Sequence, residues 1–461
     1  MKKLPLLVAA LLFSTLFYKQ NIGLNLSLFS ISTLTLLFIH NKKAFKKKSS
    51  IVFSIVYLIT GISVFLYKSN LSIIANCVAF ITIVGHISEH KSSIYVNWLN
   101  GLYTSIAGFF HRNFGHIEHK GKKAQNIDYL HTAKIIGIPI LVVIIFIGLY
   151  KNGNPMFNAL ISKINFDFIN LSWVLFTALG YYLFYNISLP IQVNPATEID
   201  LRLENNLKEK RKESIQIEAL KKEHQLGFIL ITLLNILITF FLVTDITYLV
   251  SSNDFRASVF SNQVHSGINA LIASIIIAII IILYFFRGDL NFYKDNETLK
   301  LTAYIWILLN VILIINIAIK DCQYIYYFGF TYKRIGVLVY LLLSIIGLLT
   351  TTIKVNRIKN FWYLLRVNSV FAFAILMISS MVNWDSHITV YNLYHAKSMD
   401  FNYLITLSNN NTFILKNYAN QNKLSNEKKL LIDKKTAAYR DLLDDNEWQE
   451  FVYDNLKMTN K

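Results

Sequence analysis

The sequence predicts an all-α membrane protein with about eleven transmembrane helices, one interfacial amphipathic helix and a small helical C-terminal tail. Three observations carry that prediction. The chain is 54% hydrophobic and only 16% charged, whereas soluble domains carry about 25% charged residues. Apolar runs long enough to cross a bilayer recur along most of its 461 residues. Lys and Arg, which give a formal net charge of +18, gather between those runs in alternate connections, as residues retained on the cytoplasmic side do.

The first element is MKK followed by LPLLVAALLFSTLF, which has the form of a secretory signal peptide. YKQNIG follows without a small-x-small cleavage site, so residues 4–18 read as a retained first helix, short for a bilayer. Apolar runs then occur at about 24–40, 51–67, 71–87, 133–150, 166–187 and 226–250, and again at 265–286, 301–319, 335–353 and 362–382. The stretch 93–112, SIYVNWLNGLYTSIAGFFHR, is different. Ile94, Trp98, Leu102, Ile106 and Phe109 recur at helical spacing, with Asn97, Asn100 and Thr104 between them. Such an amphipathic segment is expected to lie flat in the interface, with Trp98 and Tyr103 at headgroup depth.

Orientation follows from the basic residues. Eleven spans with the N-terminus inside place 26 Lys and Arg in the inner connections and 8 in the outer ones. A twelfth span at 93–112 would move the basic connections 188–224, 287–300 and 354–366 outside. The N-terminus is therefore expected in the cytoplasm and the C-terminal tail outside. The same placement removes the reason to expect nucleic acid, because the basic residues flank spans and build no polar domain.

Four parts are expected. They are an N-terminal membrane bundle (1–187), a charged cytoplasmic helical connector (188–224), a C-terminal membrane bundle (225–385) and an extracytoplasmic helical tail (386–461). The connector, LRLENNLKEKRKESIQIEALKKEHQ, is rich in Leu, Glu and Lys and reads as one helix entering the next span. The tail balances 10 basic against 9 acidic residues and keeps apolar residues at helical spacing, with NNN at 409–411 as a turn.

Little catalytic chemistry is legible. Cys77 and Cys322 form no C-x-x-C pair and read as buried, inert thiols. Six of eleven histidines, His86, His90, His111, His116, His119 and His131, fall in one basic segment. There is no HExxH, so this segment reads as a titratable headgroup-facing surface, and no metal or other cofactor is expected. GxSxG, GxxxxGK[ST] and GxGxxG are absent. Span interiors hold amides and hydroxyls (Thr232, Asn235, Thr239, Asn310, Asn316, Asn368), which read as interhelical glue, and Gly336, Ser344 and Gly347 read as a close-packing stripe. Arg366 is expected to snorkel to the inner interface.

The outer boundary is where a site is sought. Asp245, His265, Asp321, Tyr327, Lys333, Arg334, Trp384 and Asp385 map to it, among further aromatic residues. They form either an aromatic belt with snorkelling cations or a shallow polar pocket roofed by the tail. Two cations at the start of a helix oppose its macrodipole, so Arg334 is expected within about 4 Å of Asp245, Asp321 or Asp385.

Five stretches carry a resemblance: LFYKQNIGLN at 16–25, FRGDLNFY at 286–293, YYFGFTYKRIG at 326–336, NWDSHITVYNL at 383–393 and DFNYLITLS at 400–408. Together they resemble a bacterial membrane family catalogued as domain of unknown function 4173. The resemblance implies a polytopic envelope protein of the inner membrane and supplies no reaction, cofactor or catalytic residue.

The function expected is thus a non-enzymatic envelope scaffold or sensor. The alternative is a transporter of a neutral or lipid-like solute, and an enzyme ranks third because carboxylates and histidines are few and peripheral. Expected partners are membrane lipids, with a protein partner at the cytoplasmic connector or the outer tail.

Overall fold

The computed structural model describes residues 3–114, 170–209, 217–251 and 257–458, with isolated positions between 139 and 157, and for 248–251 and 257–269 the backbone alone. Among the described residues the chain is helical, with one isolated antiparallel bridge between Asn206 and Lys359. The helices of the main bundle are α1 (Lys3–Phe17), α2 (Leu24–His40), α3 (Lys48–Tyr67), α4 (Asn70–Ser88), α5 (Ile94–Phe114) and α6 (Leu171–Ser188). After the short α7 (Ala196–Arg202) come α8 (Ile217–Ser251), α9 (Ala257–Phe285), α10 (Glu297–Phe328), α11 (Tyr332–Asn356) and α12 (Phe361–Ser380). The tail adds α13 (Trp384–Tyr394), α14 (Phe401–Thr406), α15 (Thr412–Gln421), α16 (Asn426–Asp445) and α17 (Tyr453–Met458).

Six of these helices, α3, α4, α8, α10, α11 and α12, are long and apolar enough to cross a bilayer, and α1, α2 and residues 270–285 of α9 are shorter apolar helices. Of the eleven spans expected, six thus meet both criteria among the described residues, and the run at 133–150 lies almost wholly outside them. The surface explains the membrane setting. Along α8, Ile229, Leu233, Ile236, Leu237, Phe240 and Val243 are each more than half exposed. A stripe of that length belongs in lipid, since soluble surfaces rarely expose such continuous apolar patches.

Two cores organise the membrane helices. The first joins Leu6, Leu37, Tyr57, Ile83, Phe184 and their neighbours, and α12 contributes Phe373 and Met377 to it. The second joins Ile231, Ile275, Leu299, Ile314, Leu348 and their neighbours from α8 to α11. The last membrane helix thus packs on the N-terminal bundle as well as on α11.

Helix α5 begins beside Asp200, which bonds Ser93, and ends beside the C-terminus of α6, where Arg112 donates to the Tyr185 and Leu189 carbonyls (3.0 and 2.7 Å). Its polar stripe, Asn97, Asn100 and Thr104, is buried, while Leu99, Leu102, Ile106 and Phe110 are exposed. The amphipathicity is inverted: polar side chains bond inward and apolar ones face out. Trp98 donates to Thr82 Oγ1 at 2.9 Å, and Tyr103 pairs with His111 Nδ1 at 3.0 Å. Close packing on α4 depends on two glycines. A Cβ on Gly85 would lie 1.8 Å from the Asn97 carbonyl, and one on Gly101 would lie 1.9 Å from that of Ile81.

The other glycine stripe is not used in this way, because a Cβ on Gly336 would meet open space and one on Gly347 only ordinary contact. Cys77 and Cys322 are exposed on outward helix faces, not buried as expected. The connector also differs from one continuous helix. Residues 203–209 are extended, because Leu207 and Asn205 exchange backbone bonds with Ile358 and Asn360 (both 3.0 Å). Asn205 and Asn206, of a type that favours turns over helix interiors, make that switch cheap.

The tail helices form where apolar spacing predicts them, and 409–411 is a 3₁₀ turn. Side-chain caps mark the starts: Asn383 accepts from the Ser386 amide, Asp400 from Tyr403 and Ser425 from Lys428. Each such cap contributes about 1 kcal/mol.

Candidate functional site

Two polar faces terminate the bundle. On one, which we call the connector face, Asp200 of α7 is 5% exposed. It accepts from the Ser93 amide and hydroxyl (both 2.7 Å), from the Tyr95 hydroxyl (2.8 Å) and from Arg366 Nη2 (3.0 Å). Arg366 also donates to the carbonyls of Asp200 and Leu203 and to Asn205 Oδ1 (2.5, 2.9 and 2.7 Å). Burial works to raise the Asp200 pKa, but the Ser93, Tyr95 and Arg366 donors outweigh it and hold the carboxyl below its ordinary range. Arg366 therefore does not snorkel. It locks α12 to α5, α7 and the extended connector. Nearby, Lys354 is buried and donates to the Phe286 carbonyl at 2.5 Å, a cation at the end of α9.

The opposite face is covered by the tail, which bonds to both halves of the bundle. Near the first half, Leu24 N donates to Phe451 O (2.8 Å), Asn21 N to Glu450 Oε1 (2.6 Å) and Gln449 Nε2 to Thr15 O (3.1 Å). A Cβ on Gly23 would lie 2.1 Å from the Glu450 carbonyl, so the tail backbone needs that position bare. Near the second half, Asn392 exchanges both amide bonds with the Phe330 backbone (2.6 and 2.9 Å). Ser398 N reaches Tyr327 O (2.8 Å) and Tyr332 N reaches the Tyr403 hydroxyl (3.0 Å).

The residues expected at this boundary are brought to the tail face, but not into one cluster. Asp385 is buried and accepts from the hydroxyls of Tyr332 (2.7 Å) and Ser408 and from Asn410 Nδ2 (3.4 Å). Asp245 pairs separately with Lys320 and Asn316. Trp384 donates to the Ser379 carbonyl at 2.9 Å, Lys333 is exposed, and Lys397 stands 4.6 Å from the Tyr327 ring centroid. The His265 side chain lies outside the described residues, as do His116, His119 and His131. His86 bonds Ser49 on α3, whereas His90 lies beyond the end of α4, so the two share no helical face.

Arg334 contradicts its expected pairing. Its guanidinium forms no ion pair within 4 Å of Asp245, Asp321 or Asp385. It donates to the carbonyls of Phe328 (3.0 Å) and Gly329, and lies 3.9 Å over the Tyr324 ring. Its macrodipole problem is solved by the preceding helix: the free carbonyls that end α10 carry the partial negative charge it needs. Lys435 does the same in the tail, donating to the carbonyls of Ile405, Leu407 and Ser408 and to Asn411 Oδ1 (2.7–3.2 Å). Burial pushes the Lys435 ammonium down to about 8, with Asp385 opposing.

A pocket lined by none of the residues expected at the boundary lies under the tail. It encloses about 180 Å³ between the end of α3 and the tail, lined by Tyr67, Lys68, Ser408, Asn409, Asn410, Tyr439 and Asp454 with Leu66, Leu442 and Val452. Asp385 touches it only through Ser408 and Asn410. Burial lowers the Lys68 pKa, while the Glu450 carboxylate works against that shift. The sequence reading missed this lining. Its visible signals were a lone lysine in a two-residue outer turn and the NNN triplet, taken only as a turn.

A family model described as a domain of unknown function, DUF4153, matches residues 6–418. The number suggested by the motifs, 4173, is not the one matched. No curated protein and no solved structure matches the chain.

Proposed function

The chain belongs to the DUF4153 family, and on that premise we propose that this membrane protein is a non-enzymatic envelope scaffold or sensor. In this reading it is seated in a bacterial inner membrane, with the N-terminus cytoplasmic and the tail outside. The observation that carries the reading is the tail's attachment to both halves of the bundle at once, through Glu450 and Phe451 on one side and Asn392 and Tyr403 on the other. Such a tail holds the two halves in a fixed relation and presents Leu430, Leu442 and Trp448, all exposed, to a protein neighbour. The excess of Lys and Arg on the connector side supports the orientation.

Photo-crosslinking from Leu430 in membranes should capture one defined neighbouring protein, and a cytoplasm-only reporter should work near residue 210 and fail after 420. An active reporter after 420 would reverse the orientation. Transport is the second reading. It is favoured by a groove of about 590 Å³ between α10 and α11, walled by Ile314, Ile319, Cys322, Tyr326, Leu338 and Leu342, which suits a lipid-like solute. Movement of a labelled lipid in reconstituted vesicles, without any crosslinked neighbour, would select it.

A further inference from the structure

We propose that the tail-roofed pocket at Lys68 is an anion site that takes a single phosphate or carboxylate group, carried by a small solute or by a lipid headgroup. The size fits one such group. At about 30 Å³ of liquid volume per water, the 180 Å³ pocket holds about six waters.

The one cation among the described residues of the lining is Lys68. Among the described residues, the Lys68 ammonium, the Asn409 amide and the Tyr67 hydroxyl line the pocket without a hydrogen-bond or ion-pair partner, the Glu450 carboxylate acting on Lys68 only through space. The carboxylates nearby are already engaged. Asp454 accepts from the Tyr439 hydroxyl (3.0 Å) and from Lys457 (2.8 Å), and Glu450 accepts from the Asn21 amide and side chain (2.6 and 3.2 Å). What the pocket lacks is an anion bonded to Lys68.

Lys68 itself is placed at a cost. It ends α3 in the left-handed region (φ 44°, ψ 39°), and Ser69 then caps α4. Glycine occupies that conformation freely and Asn tolerates it, whereas a lysine is strained there. A lysine at a membrane boundary ordinarily extends its head into water. This one is half-buried under the tail, which is where a bound anion would compensate it. The inference stands separately from the scaffold reading, because it concerns ligand occupancy and not a protein neighbour.

The test uses the full-length protein in nanodiscs of neutral phosphatidylcholine, with thermal unfolding followed against inorganic phosphate or acetate at matched ionic strength. Parallel nanodiscs contain phosphatidylglycerol. The wild type should be stabilised by phosphate if the source is a solute, or only by phosphatidylglycerol if it is a headgroup. Lys68→Gly relieves the backbone, so its unliganded melting temperature should be unchanged or higher, while its apparent affinity for the effective anion falls at least tenfold. Lys68→Arg should keep the response. If no anion stabilises the wild type, or if Lys68→Gly responds as the wild type does, the site is wrong.

Discussion

Arg366 and Arg334 are both largely buried cations at helix ends, on opposite faces of the molecule, and they are satisfied in different ways. Arg366 finds a carboxylate, Asp200, and every other donor in that cluster converges on the same residue. Arg334 finds no carboxylate but two backbone carbonyls and an aromatic ring. The connector face is therefore a closed lock, whose loss strands a buried charge. On the tail face Arg334, Lys435 and Asp385 are met by carbonyls, amides and hydroxyls, and one pocket keeps an unpaired lysine. A lock suits permanent attachment, and an open donor set suits occupancy by something that comes and goes.

The comparison is broken most forcefully at Asp200. Removing one member of a buried ion pair costs about 3–5 kcal/mol, so Asp200→Ala should lower the thermal stability of the purified protein more than any single change on the tail face. The pH dependence has a definite sign. The folded-state pKa of Asp200 is depressed, so its contribution is complete above the ordinary carboxylate value of about 3.9 and disappears as pH falls through the lower folded value. An acid-side loss of melting temperature should be present in the wild type and reduced in Asp200→Asn. An unchanged acid limb would show that the lock is not what acid breaks.

Arg334→Ala should come next. It leaves two carbonyls of the α10 terminus unmet and removes a stacked cation, a loss of about 2–3 kcal/mol. Arg334→Lys should recover only part of that, because an ammonium cannot stack and bridge in the planar manner of guanidinium. Full recovery by Lys would mean that charge alone matters there. A smaller effect is expected for Lys435→Met, about 1–2 kcal/mol, since several of its carbonyl partners can turn to water. If that variant were more damaging than Asp200→Ala, the contrast between the faces would fail.

Much of the helical layout was legible because apolar runs and caps are local features. The tail helices and the turn at 409–411 follow from spacing that any window of the chain displays. What escaped depends on pairing across the chain. Arg366 reads as a snorkelling cation until Asp200, 166 positions away, is placed beside it. Helix α5 reads as amphipathic, but amphipathicity alone does not say which face turns inward. In water the polar face would be outside, but in a bilayer Asn97, Asn100 and Thr104 do better against protein partners. The carboxylate rule for Arg334 failed for a related reason: helix-end carbonyls are acceptors that no residue letter displays. The pocket at Lys68 was hidden because its walls come from α3 and from three separate parts of the tail.

The central claim is that the tail is docked on both halves of the bundle at once. Hydrogen–deuterium exchange on the intact protein in detergent tests it most directly, because the amides of Leu24, Phe330, Tyr332 and Ser398 each donate across the junction. The account predicts slow exchange in peptides covering 21–26 and 328–333 in the wild type. In Gly23→Ala, where a Cβ would meet the Glu450 carbonyl, exchange should accelerate at 21–26 while 328–333 stays protected. Fast exchange of either segment in the wild-type protein would contradict a tail held at both ends.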